Sequence, residues 1–328
     1  MRRLVLFVIA GLALAGCGVT NVSAPASDAS ATPSLTMSVP FTLSTCTLED
    51  RCLTLGTTGL ATSPTSAGQV WSDGHWQLVA TPSAPNTTLT SASCGSTNCL
   101  ILGQSATGPV LWRWTGQDVT VAAVPAGVTQ VWGVGCAATC YAVTATNGTP
   151  ALWDSNDDGL SWQLDPKGLD PATSPTGPLR LACQDHNADT PTCYADLSST
   201  LALTSGGATA GTVGFITVTS AASSPPACAT FCFAVLARHG RAYALTQLNA
   251  STGYGVNRVR ATLSSNVSDL ACRDRGCVGL SDKGSVLLQR HRHFVTASLR
   301  YFVGAPESVA CGRSICVVNS ATTVAVLR

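Results

Sequence analysis

The chain has 328 residues, with 18 lysines and arginines against 17 aspartates and glutamates. Charged residues make up 11% of it, hydrophobic residues 45% and aromatic residues 6%. A near-neutral, charge-poor chain has no electrostatic footprint for nucleic acid, so no nucleic-acid partner is expected. The length suits one large domain or two ordinary ones. The 15 cysteines make the redox compartment the first question.

The first segment, MRRLVLFVIAGLALAGC, sets Arg2 and Arg3 before an apolar run from Leu4 to Gly16. That run is too short to span a bilayer comfortably and has the length of a signal-peptide core. It ends in Leu14-Ala15-Gly16-Cys17, which resembles the lipobox of bacterial lipoproteins. The resemblance implies cleavage before Cys17 and lipidation of Cys17. Residues 1–16 are therefore expected to be a lipoprotein signal peptide. The mature chain is expected to be exported and lipid-anchored to the outer face of the cytoplasmic membrane, or a periplasm-facing membrane, without spanning it. Residues 17–34, rich in Ser, Ala, Thr and Pro, read as a flexible tether. A single folded unit is expected over 35–328.

Fourteen cysteines remain after Cys17, and they fall into seven close pairs. These are Cys46 and Cys52, Cys94 and Cys99, Cys136 and Cys140, Cys183 and Cys193, Cys228 and Cys232, Cys272 and Cys277, and Cys311 and Cys316. First members recur 48, 42, 47, 45, 44 and 39 residues apart, which is the mark of a repeat architecture. Each pair is flanked by short strand-like runs, such as LTSASC and CLILG or ESVAC and CVVNS. A third run follows (GQVWS, PVLWRW, PALWDS, LALTS, RAYALTQ, SVLLQR, TTVAVLR), and in the first repeats a fourth (HWQLVATP, DVTVAAVP, SWQLDP, GFITVTS). β-Branched residues and Gly, Pro, Ser and Asn turns dominate, with no long helical period. Trp71, Trp112 and Trp153 are spaced 41 and 41, and are read as one recurring packing position.

Four strands per unit, seven times over, predict an all-β, seven-bladed β-propeller with four-stranded antiparallel blades. The last repeat has only three runs. LTMSVP, residues 35–40, is expected to supply its fourth strand and close the ring, leaving no open edge. Ser155-Asn156-Asp157-Asp158-Gly159-Leu160-Ser161-Trp162 fits the Asp-box pattern, carried by Ser155, Asp157, Gly159 and Trp162. Ser72-Asp73-Gly74-His75-Trp76 is a shortened version. In these motifs the chain resembles Asp-box (BNR-repeat) propellers. The box is a turn device and implies fold rather than chemistry.

Each cysteine pair is expected to join the end of a first strand to the start of a second. Facing Cα atoms in such hairpins lie about 4.5–5.5 Å apart, within disulfide reach. No pair has the Cys-x-x-Cys spacing of a redox couple, and seven pairs held apart do not make zinc sites. One disulfide per blade is expected, with no metal or other cofactor.

Strand alternation puts the Cys-to-Cys loops and the Asp box on one face, and the second-to-third turns and blade links on the other. Ligands of propellers usually meet the latter face. There Arg238, His239 and Arg241 of repeat five would neighbour Asp282 and Lys283 of repeat six, a candidate binding cluster for an anionic group. Arg290-His291-Arg292-His293 reads as an exposed turn. No catalytic set can be assembled: Gly-x-Ser-x-Gly, His-Glu-x-x-His, phosphate loops and the sialidase Arg-Ile-Pro-type motif are all missing. The expectation is a monomeric, membrane-anchored binding or scaffold module for a protein or cell-envelope glycan. The alternative is a glycan-active, sialidase-like glycoside hydrolase with a degenerate motif set. Two carboxylates flanked by arginine at the channel would mark that alternative.

Overall fold

The computed structural model describes residues 40–56, 67–82, 87–165, 179–185, 191–197, 200–205, 227–228, 232–238, 242–248, 258–263, 267–274, 276–290, 293–299 and 302–328. The signal segment, Cys17, the tether, residues 35–39 and the fourth-strand run GFITVTS lie outside the described residues.

Every regular element among the described residues is a strand. The first sheet holds β1 (Phe41–Cys46), β2 (Cys52–Gly56), β3 (Ala67–Ser72) and β4 (His75–Ala80). The second holds β5 (Thr88–Cys94), β6 (Cys99–Ser105), β7 (Gly108–Trp114) and β8 (Val119–Val121). The third holds β9 (Gln130–Cys136), β10 (Cys140–Thr146), β11 (Thr149–Ser155) and β12 (Gln163–Leu164). A three-stranded sheet follows, with β13 (Leu181–Asp185), β14 (Pro191–Leu197) and β15 (Thr200–Ser205).

Next come β16 (Ala227–Cys228), β17 (Cys232–Arg238), β18 (Ala242–Leu248) and β19 (Arg258–Leu263). They share one eight-stranded sheet with β20 (Val267–Arg273), β21 (Gly276–Ser281), β22 (Val286–Arg290) and β23 (His293–Ala297). Its halves are joined only where outer strands β19 and β23 run parallel at Thr262 and His293. The last sheet holds β24 (Pro306–Cys311), β25 (Cys316–Ser320) and β26 (Val324–Leu327). Consecutive strands pair antiparallel, as short hairpin turns require.

The second strands are the core. β2, β21 and β25 are apolar runs buried along nearly their whole length, because each is covered on both faces by neighbouring sheets. Leu100 and Ile101 of β6, Ala142 and Val143 of β10, and Val317 and Val318 of β25 are fully buried. The outermost strands are exposed and carry Leu78, Val121 and Leu164 to the surface.

All seven expected cysteine pairs are disulfide-bonded, each across one hairpin register pair, with Cα atoms 3.9–4.1 Å apart. The bonds are Cys46–Cys52, Cys94–Cys99, Cys136–Cys140, Cys183–Cys193, Cys228–Cys232, Cys272–Cys277 and Cys311–Cys316. Two of them correct the expectation that the second cysteine opens its strand. Cys193 is the third residue of β14, and the ladder continues past it to pair Asp185 with Pro191. Cys277 is the second residue of β21, and Arg273 pairs with Gly276 beyond it. The sequence separation of 10 between Cys183 and Cys193 leaves room for those extra pairs. At Cys277 the extension relies on Gly276, whose φ of 141° suits glycine and few other residues.

The first strands also meet in chain order. β1 lies against β5, β5 against β9, β9 against β13, β13 against β16, β16 against β20, β20 against β24, and β24 against β1. Phe41 N–H donates to Ala321 O at 3.1 Å, and Asp50 Oδ1 accepts the N–H of Ser314 at 2.7 Å, so the first and last sheets are tied at both ends.

The turn chemistry follows the residues. Asp73-Gly74 and Asn147-Gly148 have positive φ at both positions, the type I′ geometry of two-residue hairpins. In the longer box turn, Asp157 accepts from the N–H of Ser161 at 2.8 Å and from the hydroxyls of Ser161 and Ser155. The Ser161 bonds, then that of Ser155, pull the Asp157 carboxyl down to about 2. Trp162 Nε1 donates to Ala123 O at 2.8 Å, and Arg113 pairs with Asp158 at 2.9 Å. The box therefore pins its sheet to the preceding one.

The tryptophan expectation needs a correction. Trp71 lies opposite Cys52, but Trp112 lies opposite Ile101 and Trp153 opposite Ala142. The equivalent of Trp71 is Trp114, which faces Cys99. Equal spacing in sequence hid a two-residue shift in register, because the loops before the third strands differ in length. All three are packed: Trp71 and Trp112 are fully buried, and half-buried Trp153 donates to Thr144 Oγ1 at 3.0 Å.

Candidate functional site

The stretch leading to each first cysteine decides the site. In five first strands the pairing register slips by one residue, and the extra residue is always the fourth before the cysteine. These residues are Thr42, Thr90, Trp132, Ser268 and Glu307. A bulge leaves its extra residue unpaired and re-aims its side chain. Repeated at one level, it places a set of independent side chains at the end of the first strands remote from the disulfides. That end is the one carrying the second-to-third turns.

A cavity of about 300 Å³ runs between the first strands, lined by β1, β5, β13, β16, β20, β24 and Arg180. Thr42, Thr90 and Glu307 line it from bulge positions, and the disulfide cysteines line its other end. Residues immediately before the first cysteines are small: Thr45, Ser93, Gly135, Ala182, Ala227, Ala271 and Ala310. They let the strands approach closely. A Cβ on Gly135 would lie 2.6 Å from Cys183 Sγ and 2.8 Å from Leu181 Cβ.

Next to the bulge level, the third residues before the cysteines include Ser91, Arg180, Asp269 and Ser308. Arg180 Nη1 donates to Asp269 Oδ1 at 2.6 Å, joining the fourth and sixth repeats. Asp269 also accepts from the N–H of Leu270 at 3.1 Å and of Val309 at 3.0 Å, so both its oxygens are engaged. Burial pushes the Asp269 carboxyl up, while Arg180 and the two N–H groups oppose the shift. The same construction recurs with neutral groups. Ser93 Oγ accepts from Cys136 N–H at 3.0 Å, and Ser308 Oγ from Ser44 N–H at 2.9 Å. Ser44 and Ser308 hydroxyls both donate to Asn319 Oδ1 in the core. Side chains of one first strand thus cap backbone donors of the next, which would otherwise stay unpaired beside the cavity.

Glu307 differs from these. It is exposed to the cavity, forms no ion pair among the described residues, and burial alone pushes its carboxyl up. Ser91 Oγ is buried against the same cavity without a hydrogen-bond partner.

The sequence-predicted cluster is placed only in part. Arg238 ends β17, with its side chain outside the described residues, as are His239 and Arg241. Asp282 and Lys283 form the exposed turn between β21 and β22, near the bulge end. Arg290 and His293 pair across a hairpin end at the other side of that sheet, and His291 and Arg292 lie outside the described residues. No group of three His, Cys, Asp or Glu fit for a metal occurs among the described residues. Sequence reasoning looked at the turns and passed over the channel wall. The signal was available in the columns three and four residues before each first cysteine, where Arg180, Asp269 and Glu307 are the only charged residues.

This architecture is that of known propellers. The chain is similar in structure to YCF48 bound to D1 peptide (TM-score 0.58, 11% identity, covering 94% of this chain and 99% of that one). It is also similar to the WD40 repeats of RRP9 (TM-score 0.59, 10% identity, 93% and 99% covered) and to the WD40 β-propeller domain of Doa1 (TM-score 0.57, 10% identity, 89% and 93% covered). At such identities the likeness is one of fold, and the fold is a β-propeller. No protein-family model matches the sequence, and no curated protein matches it significantly.

Proposed function

We propose that this chain is an exported, lipid-anchored propeller that binds a polypeptide partner at the mouth of its channel. The observation that carries the reading is the set of bulge positions from which Thr42, Thr90 and Glu307 present different side chains to a polar cavity on a stapled scaffold. Seven disulfide hairpins and the contact of β24 with β1 support a closed ring of seven blades, with residues 35–40 as its closing strand. Lipidation at Cys17 and a tether over 17–34 would set the mouth free to meet an envelope partner. One propeller of similar fold was solved with a peptide bound, which favours a polypeptide over a glycan. The Arg238, His239, Arg241, Asp282 and Lys283 turns would form the rim.

The glycosidase alternative has two carboxylates and an arginine in the channel to point to. Yet Asp269 spends both oxygens on Arg180, Leu270 and Val309, so it acts as a brace rather than an acid or nucleophile.

Site-specific photocrosslinking in intact cells tests the binding face. A probe at Thr107, in the turn between β6 and β7, should give discrete polypeptide adducts, and one at Ser96, in a disulfide loop, should not. Adducts at Ser96 alone, equal adducts at both, or none at either position would reject the reading. Labelling with an alkyne fatty acid should mark the wild type and not Cys17→Ser; label retained in that variant would remove the anchor.

A further inference from the structure

The charged groups of the channel divide into a closed pair and an open one. Arg180 and Asp269 neutralise each other at 2.6 Å, and Asp269 is further held by the N–H of its neighbour Leu270 and by that of Val309 on β24. Glu307 has no such partner among the described residues, and it stands on a bulge that turns it into the cavity. Around it, Thr42 and Thr90 also enter the cavity from bulge positions. The Thr90 hydroxyl donates to Leu102 O at 3.2 Å within its own sheet, so its oxygen turns lone pairs outward. Ser91 Oγ adds a buried polar atom with no partner on the same wall. The unsatisfied capacity is thus mainly that of acceptors, and its net charge is negative. Among the described residues that line the cavity, the single cation, Arg180, is engaged by Asp269, and Glu307 is the carboxylate without an ion pair. The cavity, about 300 Å³, has the volume of on the order of ten waters at ~30 Å³ each, room for one long side chain and its hydration.

We infer that the channel mouth takes a cationic side chain, a lysine or arginine of the partner polypeptide, with the Glu307 carboxylate as its counter-ion and the oxygens of Thr42 and Thr90 as further acceptors. The inference rests on the polypeptide-binding reading and specifies what that partner inserts. A charge-assisted contact of this kind is directional and favours a cation over an anion.

Fluorescence anisotropy with labelled pentalysine and labelled pentaglutamate, on the full chain at low salt, tests it. Pentalysine should bind and pentaglutamate should not, and Glu307→Gln should weaken pentalysine binding about tenfold or more. Asp118→Asn removes an exposed carboxylate from the β7–β8 turn, at the opposite end of the sheet, and should leave binding unchanged. Equal loss in both variants would show general charge attraction and overturn the inference, as would unchanged binding in Glu307→Gln or tighter binding of pentaglutamate. An unaltered melting temperature confirms that the variants are folded. If Thr107 adducts form equally in wild type and Glu307→Gln, the polypeptide reading stands and this inference fails. If wild type gives none, the reading itself fails.

Discussion

The two ends of the channel are built by opposite rules. At the cysteine end all seven repeats do the same thing: a small residue, a cysteine, a loop and a second cysteine on the facing strand. Even where the ladder runs on past Cys193 and Cys277, the bond still joins directly facing residues. At the bulge end five repeats share one backbone irregularity but not one side chain: Thr42, Thr90, Trp132, Ser268 and Glu307 are nearly all different. Uniformity marks where strands must approach closely and hold. Variety on a repeated backbone marks where side chains are free of that duty. The disulfides and the bulges thus lie at opposite ends of the first strands, the covalent constraint at one end and the unpaired, polar and charged groups at the other.

The comparison breaks most sharply under reduction. Each disulfide closes a short loop worth about 2 kcal/mol in the chain-entropy model. Their sum is comparable with the whole net stability of a typical domain, about 5–15 kcal/mol. Full reduction by dithiothreitol should therefore abolish the cooperative thermal transition followed by circular dichroism. A transition unmoved by complete reduction, verified by thiol counting, would show that the staples are incidental.

Smaller effects should follow from Asp269→Ala. It strips the acceptor from the N–H groups of Leu270 and Val309 and leaves Arg180 unpaired. Arg180 is half-exposed, so the loss should be about 2–3 kcal/mol, below that of a fully buried pair. Chemical denaturation measures it, and a loss under ~0.5 kcal/mol would mean that the brace contributes nothing.

The finest contrast is between Gly135→Ala and Glu307→Gln. The first forces a methyl against Cys183 Sγ and Leu181 at the cysteine end and should cost about 1–3 kcal/mol. The second, at the bulge end, should stay within ~0.5 kcal/mol. Its sign is set by linkage. Burial raises the folded-state pKa of Glu307 above its ordinary 4.5, so its contribution is complete below that value and lost as pH rises through the folded one. Glu307→Gln should flatten that fall and be neutral or slightly stabilising at pH 7. A destabilised Glu307→Gln beside an unaffected Gly135→Ala would invert the assignment of the two ends.

By itself, the amino-acid sequence determined what is local in this protein. The period of the cysteines, the apolar runs on either side and the Asp-Gly and Asn-Gly turns depend on neighbours within one hairpin. They predicted the cysteine pairs and the strand-like runs that flank them, because both are set by spacing and side-chain pattern within one repeat. The tertiary structure alone decided what is close across the cavity. Arg180 and Asp269 are 89 residues apart, and no spacing rule joins them. The shift between Trp71 and Trp112 and the bulges at Thr42 and Glu307 were equally invisible. A one-residue slip in pairing leaves the apolar pattern of the buried face intact while turning a single side chain toward the channel. These deviations from the repeat lie far apart in the chain, and only the packing of the first strands against one another brings them to one cavity.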